Sequence, residues 1–359
     1  MAITSIFGFD HCAVRTDGEI PYIEGLPFSW DGNSSYLYTI NDEVLNRVVL
    51  RMRSSNSNAY GGSLLGKASD VFKGHHTQRS KWYIGYRFRY EIAVSNRALG
   101  DGGGIEFSLL ETPTQQELGG YTSEELAYYI IEDRYTYHEL CLDWETGKLR
   151  RWVDGYELEA KDIPQSLIDA EDFNIRLGTW SPTPTVYSRW TDFYFLVDTK
   201  DATECKRLGG ALVKPLAIGL TDITEKWERS DDTKGWNEIL NTQLSDNLDS
   251  RINPYLLTSN AENASTFFMT KPTLGKGAIK FVQLKLNAYR KNGADPTLHA
   301  AAVMSGLNTD QRDYDLLVDG YEGRQVAELN KALDGSDWTP ELVETLGVKV
   351  HSTSGGGGS

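Results

Sequence analysis

The sequence predicts an all-β protein: two jelly-roll-like β-sandwich domains in series, with a few short helices. Three observations carry this. The first is residues 135–158, YTYHELCLDWETGKLRRWVDGYEL, whose first arm alternates. His138, Leu140, Leu142 and Trp144 fall on one face and Tyr137, Glu139, Cys141 and Asp143 on the other, the period of a half-buried strand. A turn at 145–148 returns the chain through 149–153. Asp154-Gly155 then turns it again, because both residues tolerate positive φ. A three-stranded meander with one apolar face needs a second sheet to cover it. The second observation is residues 82–94. There Trp82, Ile84, Tyr86, Phe88, Tyr90, Ile92 and Val94 share a face, opposite Arg87, Arg89 and Glu91, with core expected inside and solvent outside. The third is the aromatic content, 9 Trp, 19 Tyr and 12 Phe, residue types that favour strands.

Further elements follow in order. Short strands are expected at 3–9, 28–30, 36–40 and 46–52, parted by Asp31-Gly32-Asn33 and Asn41-Asp42. SSNSNAYGG at 54–62 is a loop by composition, and 101–104 turns the chain into a strand at 105–110. A polar segment, 111–125, precedes a strand at 128–131. Strands at 173–178 and 190–197 complete the first sandwich, the last pairing back near the N-terminal strand. DTKDATECKRLGGALVKPL, 198–216, changes character and marks the boundary. The domains run 1–205 and 206–350, with a flexible Gly/Ser tail at 351–359. In the second domain 224–241 mixes strand, turn and a short helix. Strands are expected at 279–290, 298–304 and 313–318. Thr339 caps a short helix over 341–346, with Pro340 at its first position, and 347–350 closes the domain.

Composition narrows the function. The 359 residues are enough for two cores, and 40% hydrophobic with 24% charged residues is ordinary for a globular chain. Thirty-six basic against fifty-one acidic residues give −15, which argues against nucleic acid or an anionic membrane as partner. No 18-residue apolar run is present, and MAITSIFGFDHCAV has no basic segment ahead of an apolar core, so neither a membrane span nor a secretory signal is expected. Cys12, Cys141 and Cys205 are far apart and form no CxxC pair, which excludes a zinc ribbon or thioredoxin-type motif. Scattered thiols are the first expectation and a disulfide the second. The histidines form no i, i+4 pair, and no phosphate- or dinucleotide-binding Gly-rich fingerprint is present.

An alternating strand, a polar turn and an arm ending Trp152-Val153-Asp154-Gly155 resembles the core hairpin of concanavalin-like (laminin-G-like) jelly rolls. The second half is similar to the C-terminal β-sandwich of bacteriophage virion structural proteins. The matching positions are Val282-Gln283-Leu284, Tyr289-Arg290-Lys291-Asn292-Gly293, Ser305-Gly306, Trp338-Thr339 and Gly347-Val348-Lys349-Val350. Those proteins often begin with a short I-x-x-G-F-D segment ahead of a concanavalin-like domain, which Ile6-Phe7-Gly8-Phe9-Asp10 resembles with one residue fewer between Ile and Gly. The middle, 246–263, matches no such pattern. The resemblance implies a non-enzymatic virion protein of a tail, baseplate, collar or fibre appendage. It would be made in the host cytoplasm and released by lysis, assembled as a homo-oligomer (trimer or hexamer) with other virion proteins. A host-glycan-binding module and a capsid decoration protein are the alternatives.

Glu106 and Glu111 are the closest approach to an enzyme. Laminarinase-type hydrolases of the concanavalin-like fold carry E-x-D-x-x-E there, but Ser108 stands where the aspartate belongs, and positions five apart on an unbulged strand face opposite sides. No activity is expected. No cofactor is expected either. The resemblance allows a structural calcium ion, to which Asp231-Asp232 or the DQRDYD stretch at 310–315 could contribute, yet neither has the spacing of a calcium loop. Trp180, Tyr187 and Trp190, in the loop TWSPTPTVYSRW, are the candidate contact residues for a glycan or a protein. The other reading is that these rings plug the end of the sandwich, which the burial habit of tryptophan favours.

Overall fold

The computed structural model describes residues 2–9, 26–31, 37–53, 63–73, 75, 77, 79–92, 104–111, 117–121, 133–180, 186–198, 207–214, 216–221, 228–229, 233, 239, 256–257, 264–273, 277–288, 297–315 and 322–353. The chain is all-β, and its described residues divide into two compact units, the chain passing from the first to the second after Val213.

The first unit holds two antiparallel sheets. The larger has nine strands, ordered Tyr156–Glu157, Lys148–Val153, Thr136–Asp143, Lys81–Ile92, Val186–Asp198, Arg47–Arg53 and Leu37–Asp42. Ala2–Phe7 adds onto Val186–Asp198 and Lys161–Asp162 onto Lys148–Val153. The smaller runs Ser29–Asp31, Ser63–Lys67, Phe173–Trp180, Gly104–Glu111 and Glu117–Tyr121. Their facing sides form one aromatic core, in which Trp82 stacks on Phe173 at 6.0 Å and Phe28 meets Phe195 at 5.6 Å. The central hairpin forms where the alternation places it. Asp154 and Gly155 take φ of 48° and 90°, as the tight turn requires, and the Tyr137 N–H donates to Asp154 Oδ1 at 2.8 Å.

The alternation of Thr136–Asp143 misled in one respect. All eight residues are buried, so the face expected in solvent is covered as well. The same holds for Arg89 on Lys81–Ile92. Period two separates the two faces of a strand but does not say what lies over either.

In the second unit, Ile218–Thr221, Ser265–Met269, Leu346–Thr353, Thr297–Met304 and Leu307–Asn308 form a sheet, with Arg312–Asp315 also on Thr297–Met304. Val282–Ala288 pairs with Glu322–Leu329, and Leu284, Val326, Ala302, Met304 and Val348 share one core. Pro340–Glu344 is helical, and Thr339 caps it by accepting the Leu342 N–H at 3.2 Å. The Trp338 indole donates to the Leu329 carbonyl at 3.1 Å and ties the helix to the sheet. The strand expected at 128–131 and the segment 246–263 lie outside or almost wholly outside the described residues. Among the described residues no helix is long and apolar enough to cross a membrane.

Candidate functional site

The outer face of the nine-stranded sheet, away from the aromatic core, concentrates the polar chemistry of the first unit. Trp152, Glu139, Gly85 and Tyr194 are aligned residue by residue on four neighbouring strands, so they form a single row across the sheet. Gly85 makes the row work. A side chain there would collide with the Tyr194 ring and the Tyr137 hydroxyl, so glycine lets Tyr194 cross the strand and donate to Glu139 Oε1. The Glu139 carboxylate is 1% exposed and also accepts from Arg207 Nη1 at 2.9 Å and the Gly209 N–H at 3.0 Å. Burial pushes its pKa up against those three donors. Burial likewise raises the phenols of Tyr194 and Tyr137, so both stay protonated.

A second carboxylate anchors the neighbouring part of this face. The ladder between Val186–Asp198 and Lys81–Ile92 slips between Thr191 and Tyr194, and Asp192 sits in that bulge at φ 56°. One Oδ accepts from Arg47 Nη1 at 2.8 Å and the Val213 N–H at 3.0 Å; the other accepts from Arg87 Nε at 2.9 Å. Arg47 donates in addition to the Val213 carbonyl at 2.6 Å. Residues 207–213 therefore cross the sheet as a strap, with Arg207 over the Trp152 ring at 4.9 Å and Val213 docked at Asp192. From Glu139 to Asp192 is two strand spacings, ~10 Å, which the five residues from Gly209 to Val213 can span.

Beyond Asp192 the face continues as an ion-pair lattice. Arg51, Arg189 and Arg89 are paired across three strands. Arg189 reaches Asp42 at 2.7 Å, Glu43 at 2.6 Å and Glu91 at 2.5 Å, and Arg89 reaches Glu43 at 2.8 Å. The Tyr135 hydroxyl donates to Asp42 at 2.6 Å. The Arg189 hydrogen bond leads the contacts that hold the Glu43 carboxyl at about 2 against its ordinary 4.5. A carboxyl depressed in the folded state stabilises above its unfolded value, and that contribution is lost as pH falls towards the folded one. Unfolding midpoints should therefore drop between pH 4.5 and 2. Glu43→Gln should flatten part of the drop, by under ~1 kcal/mol, since the carboxylate is 62% exposed and screened by solvent. Denaturant titrations at a series of pH values check this. Glu139 acts with the opposite sign: its raised value favours the fold at low pH and withdraws that support as pH rises through it.

Between the sheets lies a buried polar group of another kind. Arg151, 0% exposed, approaches His138 Nδ1 at 2.7 Å and donates to the Tyr86 hydroxyl at 3.3 Å. Arginine only donates, so Nδ1 accepts and the imidazole proton sits on Nε2, facing Thr136 Oγ1 at 2.7 Å. Burial and the Arg151 charge push His138 well below its usual 6.5, so the ring is neutral.

The three aromatic residues singled out in the sequence do not form a loop cluster. Tyr187 and Trp190 belong to the strand Val186–Asp198, and Trp180 ends Phe173–Trp180, its side chain outside the described residues. Trp190 is enclosed in the core against Phe88 at 4.8 Å and Tyr86 at 5.1 Å, with no ring surface to offer. Tyr187 is on the outer face, partly exposed, with the Arg51 guanidinium 3.8 Å over its ring. Glu106 and Glu111 lie on Gly104–Glu111, which pairs with Phe173–Trp180 without a slip, and their side chains are outside the described residues. Cys141 is a buried thiol outside any disulfide.

Among the described residues no three His, Cys, Asp or Glu side chains converge as metal ligands. In the 310–315 stretch Asp313 binds His299 Nδ1 at 2.6 Å, while His299 Nε2 meets Thr353 Oγ1 at 2.8 Å. Asp231 and Asp232 lie outside the described residues. What sequence reasoning missed is Glu139, Asp192, Tyr194 and the strap. The signal available was Glu139 itself, a carboxylate on the alternating arm of the central hairpin.

No family model matches the sequence, and no curated protein does. Solved structures resemble parts of it weakly. A sialidase matches 55% of this chain over 19% of its own length, at TM-score 0.34 and 8% identity. The alginate lyase Aly36B matches 57% of this chain over all of its own, at TM-score 0.34 and 14% identity. The N-terminal CBM22-1–CBM22-2 tandem domain of Paenibacillus barcinonensis Xyn10C matches 99% of this chain over 90% of its own, at TM-score 0.29 and 10% identity. Likeness at this level assigns no role to any residue here.

Proposed function

We propose that the chain is a non-enzymatic structural protein of a bacteriophage particle, part of a tail, baseplate, collar or fibre appendage, working as a symmetric oligomer. The observation that carries the non-enzymatic part is the closure of the outer face. Glu139, the carboxylate best suited to acid–base work by its raised pKa and neighbouring phenols, is held by Tyr194, Arg207 and Gly209 and closed to solvent. The acids beside it are engaged by guanidiniums. The virion part rests on the ordered sequence resemblance of both halves. Sandwich edges of this type are managed by pairing with copies or neighbours, which suits an appendage built by repetition.

Two measurements test the reading. Light scattering of the purified chain should give a trimer or hexamer. Antibodies to the chain should decorate an appendage on particles released from cells that make it. Particles left bare by the antibody would overturn the proposal. A host-glycan-binding role is the second reading, favoured by the partly exposed Tyr187 beside Arg51 and Arg53. It predicts that Tyr187→Ala abolishes retention on a glycan array while the unfolding midpoint holds.

A further inference from the structure

The strap is a poor lid in three respects. Its anchors are polar: two backbone N–H groups and one guanidinium on Glu139 and Asp192, and the Arg47 bond to the Val213 carbonyl. Leu212 points away, 55% exposed, so apolar burial adds little to its hold. The strap also carries Gly209-Gly210, with Gly209 at φ 69°, a backbone with many alternatives once its N–H is released. Moreover, it does not satisfy the surface it covers. The Thr191 hydroxyl, fully buried on this face beside Asp192, has no hydrogen-bond partner among the described residues. The Tyr137 hydroxyl approaches Tyr194 and the Ala211 backbone short of hydrogen-bond geometry. Buried polar groups left in this state favour any occupant that supplies the missing bonds.

With the strap lifted, Trp152 loses the Arg207 guanidinium from its ring and becomes a flat apolar platform at one end of the transverse row. Glu139, Tyr194 and Tyr137 follow, then Thr191 and Asp192, over three strand spacings or ~14 Å. With Arg207 lifted, Asp192 keeps Arg47 and Arg87 while Glu139 keeps the Tyr194 hydroxyl, so two acids are matched in number by two guanidiniums and the row favours neither an anion nor a cation. An aromatic plane followed by carboxylate and phenol oxygens suits an uncharged chain of hydroxyl groups. Ring faces stack on the indole and hydroxyls donate to the carboxylates.

We propose that residues 207–213 are a displaceable cover, and that the row from Trp152 to Asp192 beneath it binds a neutral oligosaccharide when the cover is open. This goes beyond the structural role proposed above: particle labelling tests that role whatever the state of the strap, whereas opening the strap removes the closure of Glu139 on which its non-enzymatic part rests.

The test opens the cover without touching the row. Arg207→Ala removes one latch, and Gly209→Pro removes a second by deleting the N–H and imposing negative φ. Cellohexaose, laminarihexaose and maltohexaose are titrated against the full-length parent and the double variant, read by tryptophan fluorescence and calorimetry. Hydrogen exchange monitors 207–213. Apparent affinity scales with the fraction of open molecules, so at least one hexasaccharide should bind the double variant about tenfold or more tightly than the parent. Exchange at 207–213 should accelerate, and Trp152→Ala in the opened chain should abolish binding. The single Arg207→Ala variant gives the same direction with a smaller change, should the double variant fold poorly. A variant with fast exchange at 207–213 that binds none of the three sugars would overturn the proposal. So would unchanged exchange in the folded double variant, or binding that survives Trp152→Ala.

Discussion

Trp190→Ala should destabilise the first unit by about 4 kcal/mol, measured as a fall in the urea midpoint at unchanged slope. The indole is wholly enclosed, T-shaped against Phe88 at 4.8 Å and parallel to Phe193 at 6.3 Å, and its N–H donates to Ser188 Oγ at 2.8 Å. Alanine removes those ring contacts, opens a cavity between the sheets and takes away the N–H bond to the buried Ser188 hydroxyl. Trp190→Phe keeps a ring and should cost about half as much. A surface contact residue would show neither effect. An unchanged midpoint would remove Trp190 from the core.

Asp192→Ala should cost about 3–5 kcal/mol, because it strips the shared carboxylate from Arg47 and Arg87 and leaves both half-sequestered guanidiniums facing each other. It also removes the acceptor of the Val213 N–H and puts alanine at φ 56°, a conformation it tolerates poorly. Asp192→Asn separates these contributions. Asparagine accepts that φ and can still receive one hydrogen bond, so it should recover part of the loss while the charge pairing stays missing. Chemical denaturation of the three proteins measures the ranking, parent above Asn above Ala. Equal costs for Asn and Ala would mean that ion pairing alone sets the stability of the bulge.

The fold was legible where chemistry is local. Asp154-Gly155 named its own turn, Thr339-Pro340 its own helix start, and the alternation of Trp82, Ile84, Tyr86 and Phe88 its own core face. The outer face was not, because each of its features depends on residues distant in the chain. Glu139 is sealed by Arg207 and Gly209, about seventy positions on, and crossed by Tyr194 only because Gly85 lies between them in the ladder. Periodicity reports which residues share a face but not which strand stands beside which. Placing Tyr187 and Trp190 together in one loop, although a strand was also expected from 190, has a related cause. Two prolines just before them suggested a loop, yet Val186–Asp198 is a central strand paired on both sides, whose neighbours outweigh the local turn signal.

The N-terminal strand has a consequence for synthesis. Among the described residues Ala2–Phe7 pairs with the Phe193–Val197 half of the long strand, beyond the bulge at Asp192. About 190 residues separate the two, so at ordinary translation rates the first strand waits roughly 10–40 s for its mate to leave the ribosome. For that interval Ile3 and Phe7, both buried in the finished sheet, are exposed on the nascent chain. Crowded polysomes then bring several such unpaired strands together, each able to add to a neighbouring chain's unfinished edge. A slow codon stretch ahead of residue 198 would lengthen that window. Chaperone engagement of the nascent chain should end abruptly once Val197 emerges.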